Sequence, residues 1–178
     1  MRVITGTARG RKLLEPAGMQ IRPTADVVKE AVFNIIQFDI EGRRVLDLFA
    51  GTGQLGIEAL SRGAAECVFV DESREALKIV RENLSRCKLE GRVMQSDGPA
   101  YLERAGKFDI IFLDPPYDTT LLDKCLEIVQ YVDILTDGGI IVCESRREKV
   151  LPELKAPFSR VIDRSYGKIK ITVYKKEI

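Results

Sequence analysis

Histidine is absent from this chain of 178 residues. The commonest general base and the commonest metal ligand are therefore missing, which excludes a Ser-His-Asp hydrolase and a histidine-based metalloenzyme. The four cysteines, Cys67, Cys87, Cys125 and Cys143, stand far apart, so no CxxC zinc or redox motif exists. Each lies in an apolar stretch and reads as a buried, reduced thiol. No apolar run approaches the ~20 residues of a membrane helix. The opening Met1-Arg2-Val3-Ile4-Thr5-Gly6 lacks the apolar core of a signal peptide, so a cytoplasmic location is expected. Neither sign of charge dominates: 28 Lys and Arg against 27 Asp and Glu leave a net charge of +1. Any surface for nucleic acid has to be local.

The pattern of apolar residues predicts one α/β domain. Residues 1–16 carry Gly6 and Gly10 and predict a short β-hairpin bearing Arg2, Arg9, Arg11 and Lys12. A helix over about residues 25–38 follows, with Val28, Val32, Ile35 and Ile36 on one face and Thr24 or Asp26 as its cap. From residue 44 strands and helices alternate. Strands are expected at Arg44–Leu48, Glu66–Val70, Arg92–Gln95, Phe108–Leu113 and Ile140–Glu144. Helices are expected up to about Arg62, after Ser73 with a stripe of Leu77, Val80 and Leu84, and at about residues 119–132. Such alternation gives a mostly parallel, Rossmann-like sheet covered on both faces. A last pair, about Ser159–Ser165 and Lys168–Tyr174, turns at Gly167 and predicts an antiparallel C-terminal hairpin.

Ligands of such sheets bind beyond the carboxyl ends of the strands. The first strand runs into Asp47-Leu48-Phe49-Ala50-Gly51-Thr52-Gly53, where glycines admit a ligand close to the backbone. This is not the GxGxxG pyrophosphate fingerprint. A carboxylate at Asp47 suits an ammonium group and repels a pyrophosphate. The second strand ends in Asp71-Glu72, at about the ~20-residue offset where an acid accepts from a ribose diol. The third ends in Ser96-Asp97, placed to meet an adenine amine. The fourth ends in Asp114-Pro115-Pro116-Tyr117. Two consecutive prolines stiffen this loop and present carbonyls beside the Asp114 carboxylate. Those acceptors suit an amine, and the Tyr117 ring suits a stacked base.

The succession DxFxGxG, strand-end acid, third-strand Asp and (D/N)PP(Y/F) resembles class I methyltransferases that modify amino groups. Arg22-Pro23-Thr24-Ala25-Asp26, Lys29-Glu30, Phe33-Asn34 and Arg9-Gly10-Arg11-Lys12-Leu13 narrow the resemblance to the RsmD family, which methylates guanine N2 in 16S ribosomal RNA. The resemblance implies a seven-stranded class I fold and S-adenosylmethionine as donor. It places Asp47, Phe49, Gly51 and Gly53 along the donor site, Asp71 at the ribose and Asp97 at the adenine. Thr24 and Asp26 would close over the methionine end. Asp114, Pro115 and Tyr117 would hold the target base. Glu144-Ser145 matches a Glu-Ser pair of the family, but Arg146 stands where an acid is common, so that segment falls outside the expected site. Arg2, Arg9, Arg11, Lys12 and Arg22 are expected to meet phosphates of 16S RNA, free or in an assembling small ribosomal subunit. No metal and no membrane partner are expected, and the chain is expected to act as a monomer.

Three other readings compete. A DNA or RNA adenine-N6 methyltransferase shares the DPPY loop, but the chain has no room for a separate target-recognition region. A non-catalytic, S-adenosylmethionine-binding RNA assembly factor would not need the intact Asp114–Tyr117 loop. A nicotinamide dehydrogenase is opposed by Asp47 and the missing fingerprint.

Overall fold

The computed structural model describes residues 1–17 and 23–178, the side chains of residues 23–25 excepted. Among these residues seven strands form one sheet: β1 (Arg44–Leu48), β2 (Glu66–Asp71), β3 (Arg92–Gln95), β4 (Phe108–Leu113), β5 (Leu135–Arg146), β6 (Phe158–Tyr166) and β7 (Ile169–Lys176). Their order is β3-β2-β1-β4-β5-β7-β6. Neighbours among β1 to β5 pair in parallel, whereas β7 runs antiparallel between β5 and β6. Helices α1 (Pro23–Ile36), α2 (Gln54–Ser61), α3 (Arg74–Cys87), α4 (Gly98–Leu102) and α5 (Leu121–Val129) complete the chain. None is long and apolar enough to cross a membrane.

The strands read as continuous apolar runs because both faces are covered. In β4, Ile110 and Phe112 pack with Val32 and Phe33 of α1 and Ile57 of α2. Ile111 and Leu113 point the other way, to Leu122 and Leu126 of α5. The pairings Val45 with Ile110 and Leu46 with Ile111 fix the register, and a slip of one residue would exchange the two faces. All four cysteines are buried and unpaired. Ser73 caps α3 by accepting from the Ala76 amide at 3.2 Å, and Leu77, Val80 and Leu84 form its buried stripe.

Three local expectations need correction. Helix α1 begins at Pro23, so Thr24 and Asp26 lie inside its first turn rather than at the cap; proline fits there because its missing N–H costs no helical bond. Strand β5 starts at Leu135, with a register irregularity opposite Phe108 and Ile110. The five-residue α4 has no counterpart in the sequence reading. The expected N-terminal hairpin is present but short: around the antiparallel bridge Arg2 with Lys12, the amides of Val3 and Leu13 donate to the carbonyls of Arg11 and Met1, each at 2.9 Å.

Between its paired ends the N-terminal arm gives the amides of Ile4, Thr5, Thr7 and Ala8 to α2. Glu58 is fully buried, and its carboxylate accepts from the amides of Ile4 at 2.8 Å and Thr5 at 3.0 Å. The same carboxylate meets Lys29 at 3.3 Å and Arg62 at 2.9 Å. Lys29 also donates to the Arg2 carbonyl at 2.9 Å. Ser61 accepts from the Ala8 amide through Oγ and from the Thr7 amide through its carbonyl. Gly6 makes this approach possible: its φ is +95°, and a Cβ there would stand 1.9 Å from the Ser61 carbonyl oxygen.

Glu58→Ala strips the buried Lys29 of its counter-charge. Losing one partner of a buried pair costs about 3–5 kcal/mol. Urea unfolding should show a loss of that size; a loss below ~1 kcal/mol would mean that the pair does not hold the arm.

Candidate active site

The carboxyl ends of β1, β2, β3, β4 and β5 open onto one cavity of about 810 Å³, within the range of small-ligand sites. It lies where the strand order reverses direction around β1 and β4, the usual ligand position in such sheets. Asp47, Phe49, Gly51, Asp71, Asp97, Asp114, Pro115 and Tyr117 all line it, as the sequence predicts. Seven carboxylates face this space, Glu15, Asp47, Asp71, Glu72, Asp97, Asp114 and Glu144, and no lysine or arginine is among the described lining residues. Such a wall favours a cationic ligand and repels a dinucleotide's pyrophosphate.

Each acid is held by the loop that follows its strand. Asp47 is buried and accepts from the Gly56 amide at 2.9 Å, across the glycine-rich turn. Burial, reinforced by the nearby Asp71 charge, pushes its carboxyl from the ordinary 3.8 up to about 7. Asp71 accepts from the Gly51 amide at 3.0 Å and from the Ser73 amide at 2.9 Å, so it clamps the glycine loop to the start of α3. Asp97 caps α4 by accepting from the Ala100 amide at 2.9 Å through one oxygen, and its carboxylate is exposed.

The backbone of the loop is unusual at Phe49, which has φ of +65°, a costly conformation for a bulky residue. Its ring lies over Gly98, where a Cβ would stand 2.6 Å away. Gly51, at φ +57°, faces open space. Gly53 does not line the cavity: its φ is +82° and it packs toward Val80 and Phe69 at the start of α2. Its glycine identity serves the turn. Buried Asn83 of α3 ties this loop to the arm. It accepts from the Leu14 amide at 2.7 Å and donates to the carbonyls of Leu14 at 3.2 Å and Thr52 at 3.0 Å.

At the other end of the cavity, Leu113 of β4 pairs with Cys143 of β5, so Asp114 and Glu144 leave adjacent strands side by side. Burial and the Glu144 charge raise the Asp114 carboxyl well above its ordinary value. Burial raises Glu144 as well, against hydrogen bonds from Tyr117 and Asp114 that lower it. Burial and mutual repulsion therefore favour a shared proton on this carboxyl pair. The Tyr117 hydroxyl donates to Glu144 Oε1 at 2.8 Å. Burial and that carboxylate push the phenol pKa up, so Tyr117 stays a neutral donor. Arg146 covers the Tyr117 ring, its guanidinium carbon 5.1 Å from the ring centroid, while binding Asp118 through two hydrogen bonds of 3.1 and 3.0 Å.

Glu144 is the carboxylate of this corner that the sequence places outside the expected site. Its signal was present: an acid closing an apolar strand next to the DPPY strand. Several expected residues lie elsewhere. Asp26 is exposed on α1 and takes no part in the described wall. Arg22 and the Thr24 side chain lie outside the described residues. Arg2, Arg9, Arg11 and Lys12 are all exposed on the arm, whose Met1 and Glu15 reach the cavity rim.

The sheet order, the glycine turn after β1 and the acidic DPPY corner define a class I methyltransferase fold. The chain matches the family model described as Conserved hypothetical protein 95 over residues 1–175. It is 42% identical over 182 residues to Bacillus subtilis YlbH, covering 99% of each protein. It is 35% identical over 179 residues to the Ribosomal RNA small subunit methyltransferase D of Escherichia coli, covering 99% of this chain and 90% of that relative. The solved structure of Escherichia coli yhhF superposes with a TM-score of 0.90 at 35% identity, covering 99% of this chain and 98% of the other. The chain belongs to the Conserved hypothetical protein 95 family, the RsmD family that its motifs resemble.

A raised carboxyl makes stability depend on pH. Unfolded, Asp47 ionises near 3.8; folded, it resists until about 7. Its stabilising contribution is complete below pH ~4 and is lost as pH rises toward 7. Asp47→Asn removes this loss and can still accept from Gly56. The variant should match wild type near pH 4 and exceed it by roughly 2–4 kcal/mol at pH 8. Unfolding curves at both pH values decide the matter, and a variant less stable at pH 8 than at pH 4 relative to wild type would refute it.

Proposed function

We propose that this protein transfers a methyl group from S-adenosylmethionine to the exocyclic N2 amine of a guanine in 16S ribosomal RNA, free or within an assembling small subunit. One observation carries the reading: the Asp114 and Glu144 carboxylates stand beside a stiff double-proline loop at the end of a cation-seeking cavity. The name of the Escherichia coli relative supports the RNA class.

The wall fits the donor, whose sulfonium and ammonium are cations and whose adenosine has a ribose diol and an amine. S-adenosylmethionine supplies a methyl group already attached to a good leaving group. Asp47 lies at the bottom of the cavity and would bind the ammonium. Asp71 would accept from the ribose diol with the lone pairs left by its two amide partners. Asp97 has one oxygen free of its cap bond for the adenine amine. Phe49 and Gly51 would form the adjoining walls. A cation in this space favours the ionised form of Asp47 and Asp114, opposing the effect of burial.

The remaining problem is a weak nucleophile, because the guanine amine shares its lone pair with the ring. Asp114 and the Pro115 carbonyl are acceptors for the two amine hydrogens. Bonds to both favour a pyramidal nitrogen with its lone pair turned to the methyl carbon. Orientation of this kind contributes up to ~7–11 kcal/mol to lowering a barrier. The amine becomes far more acidic as it is alkylated, so its proton leaves late, to Asp114. A base in a helix has to unstack to reach this corner, and Tyr117 replaces part of that stacking. Arg2, Arg9, Arg11 and Lys12 meet the flanking phosphates at the rim.

Asp114→Ala should lower methyl transfer by at least about 10²–10³-fold, measured with tritiated donor on small-subunit RNA or particles lacking the modification. Donor affinity by calorimetry should stay within about tenfold, and near-normal turnover would refute the assignment. Reversing the charges of Arg9, Arg11 and Lys12 should weaken RNA binding and flatten its salt dependence by about three contacts' worth of slope. An unchanged slope would remove the arm from the RNA interface.

A further inference from the structure

The corner contains a second acceptor that methyl transfer to an amine does not by itself require. Glu144 lines the main cavity and also a second one of about 320 Å³ on the outer side of the loop. Pro115, Pro116, Tyr117 and Glu144 form the wall that the two share, and Glu144 is the charged member of that wall. The side chain is fixed from two directions. Tyr117 donates to Oε1 at 2.8 Å, and the β4–β5 pairing places Asp114 beside it. Adjacent strands lie about 4.8 Å apart, so the two carboxyls form one polar edge against anything held at Asp114, and when a cation in the cavity drives off their shared proton that edge is a short row of acceptors.

An ionised carboxylate only accepts hydrogen bonds. A base with its amine on Asp114 therefore meets an acceptor at the next position along its edge. In guanine the atom next to the C2 amine is N1, which carries a hydrogen. In adenine the atom next to the C6 amine is also N1, but it carries a lone pair. Guanine matches the row donor for acceptor; adenine turns a lone pair toward a buried carboxylate, and unmatched buried polar groups discriminate strongly.

We infer that Glu144 is the specificity-determining residue of this site, accepting the N1 hydrogen of guanine while Asp114 takes the amine, so that the corner selects guanine over adenine. This rests on the guanine-N2 reading given above and deepens it. Tyr117 is the positioning residue that keeps Glu144 in place, and its donated hydrogen bond favours the ionised, acceptor-only form.

The test separates base reading from fold support. Short RNAs are prepared with guanine or 2-aminopurine at the target position; 2-aminopurine keeps the C2 amine but has a lone pair at N1. Wild type should methylate the guanine RNA at least about tenfold better in kcat/KM. In Glu144→Gln the amide can turn its NH2 toward that lone pair, so the preference should shrink to about threefold or less. A variant that slows both RNAs equally, with the preference intact, overturns the assignment, because a purely structural role predicts that result. Wild type gives a second measurement that needs no variant. RNA with inosine at the target, which has the N1 hydrogen and no amine, should inhibit more tightly than RNA with unsubstituted purine there, and equal inhibition overturns the assignment. Nucleoside analysis of the wild-type product distinguishes the two levels: a product other than N2-methylguanosine overturns the functional reading itself, whereas N2-methylguanosine with an unmoved preference overturns the role of Glu144 alone.

Discussion

Mutual repulsion among desolvated carboxylates is the constraint on which this site depends. Five parallel strands deliver acids to one rim, and the apolar runs behind them prevent those acids from retreating into water. The protein contains two kinds of buried acid. Glu58 is fully compensated by two cations and two amides, and it holds the fold together. Asp47 and Asp114 have neighbours of the same sign, and their unfavourable environment is relieved by a proton or by a positive ligand. Stability given up there is recovered as affinity, since whatever binds the folded state alone also stabilises it.

Charge is sorted by depth rather than by face. The arm carries its cations outward, and the cavity beside it is acidic. In the proposed function, a nucleic-acid backbone would be attracted to the first and excluded from the second. A neutral base, swung out of its stack, can pass where its phosphates cannot. The near-zero net charge of the sequence hides this arrangement completely.

The parallel strands were legible because burial on both faces writes them as apolar runs, and the acids at their ends then locate the rim. What the sequence concealed depends on contacts between distant residues. The arm is the short antiparallel pair that alternation suggests, but the amides of its loop go to Glu58 and Ser61, more than fifty positions away. Gly53 resembles Gly51 in the motif, but one packs on Val80 and the other faces open space. Helix α4 is too short to show a period, and only its Asp97 cap and Pro99 mark it. Glu144 becomes meaningful only through the β4–β5 register. Arg146, which argued against that segment, has its own occupation on Asp118 and the Tyr117 ring.

Asn83 has a consequence that reaches beyond packing. A single amide side chain grips the arm at Leu14 and the glycine turn at Thr52. Neither can shift without breaking bonds that steady the other. Both segments are thereby moored to one point on α3, so that loss of this one amide would slacken the two together.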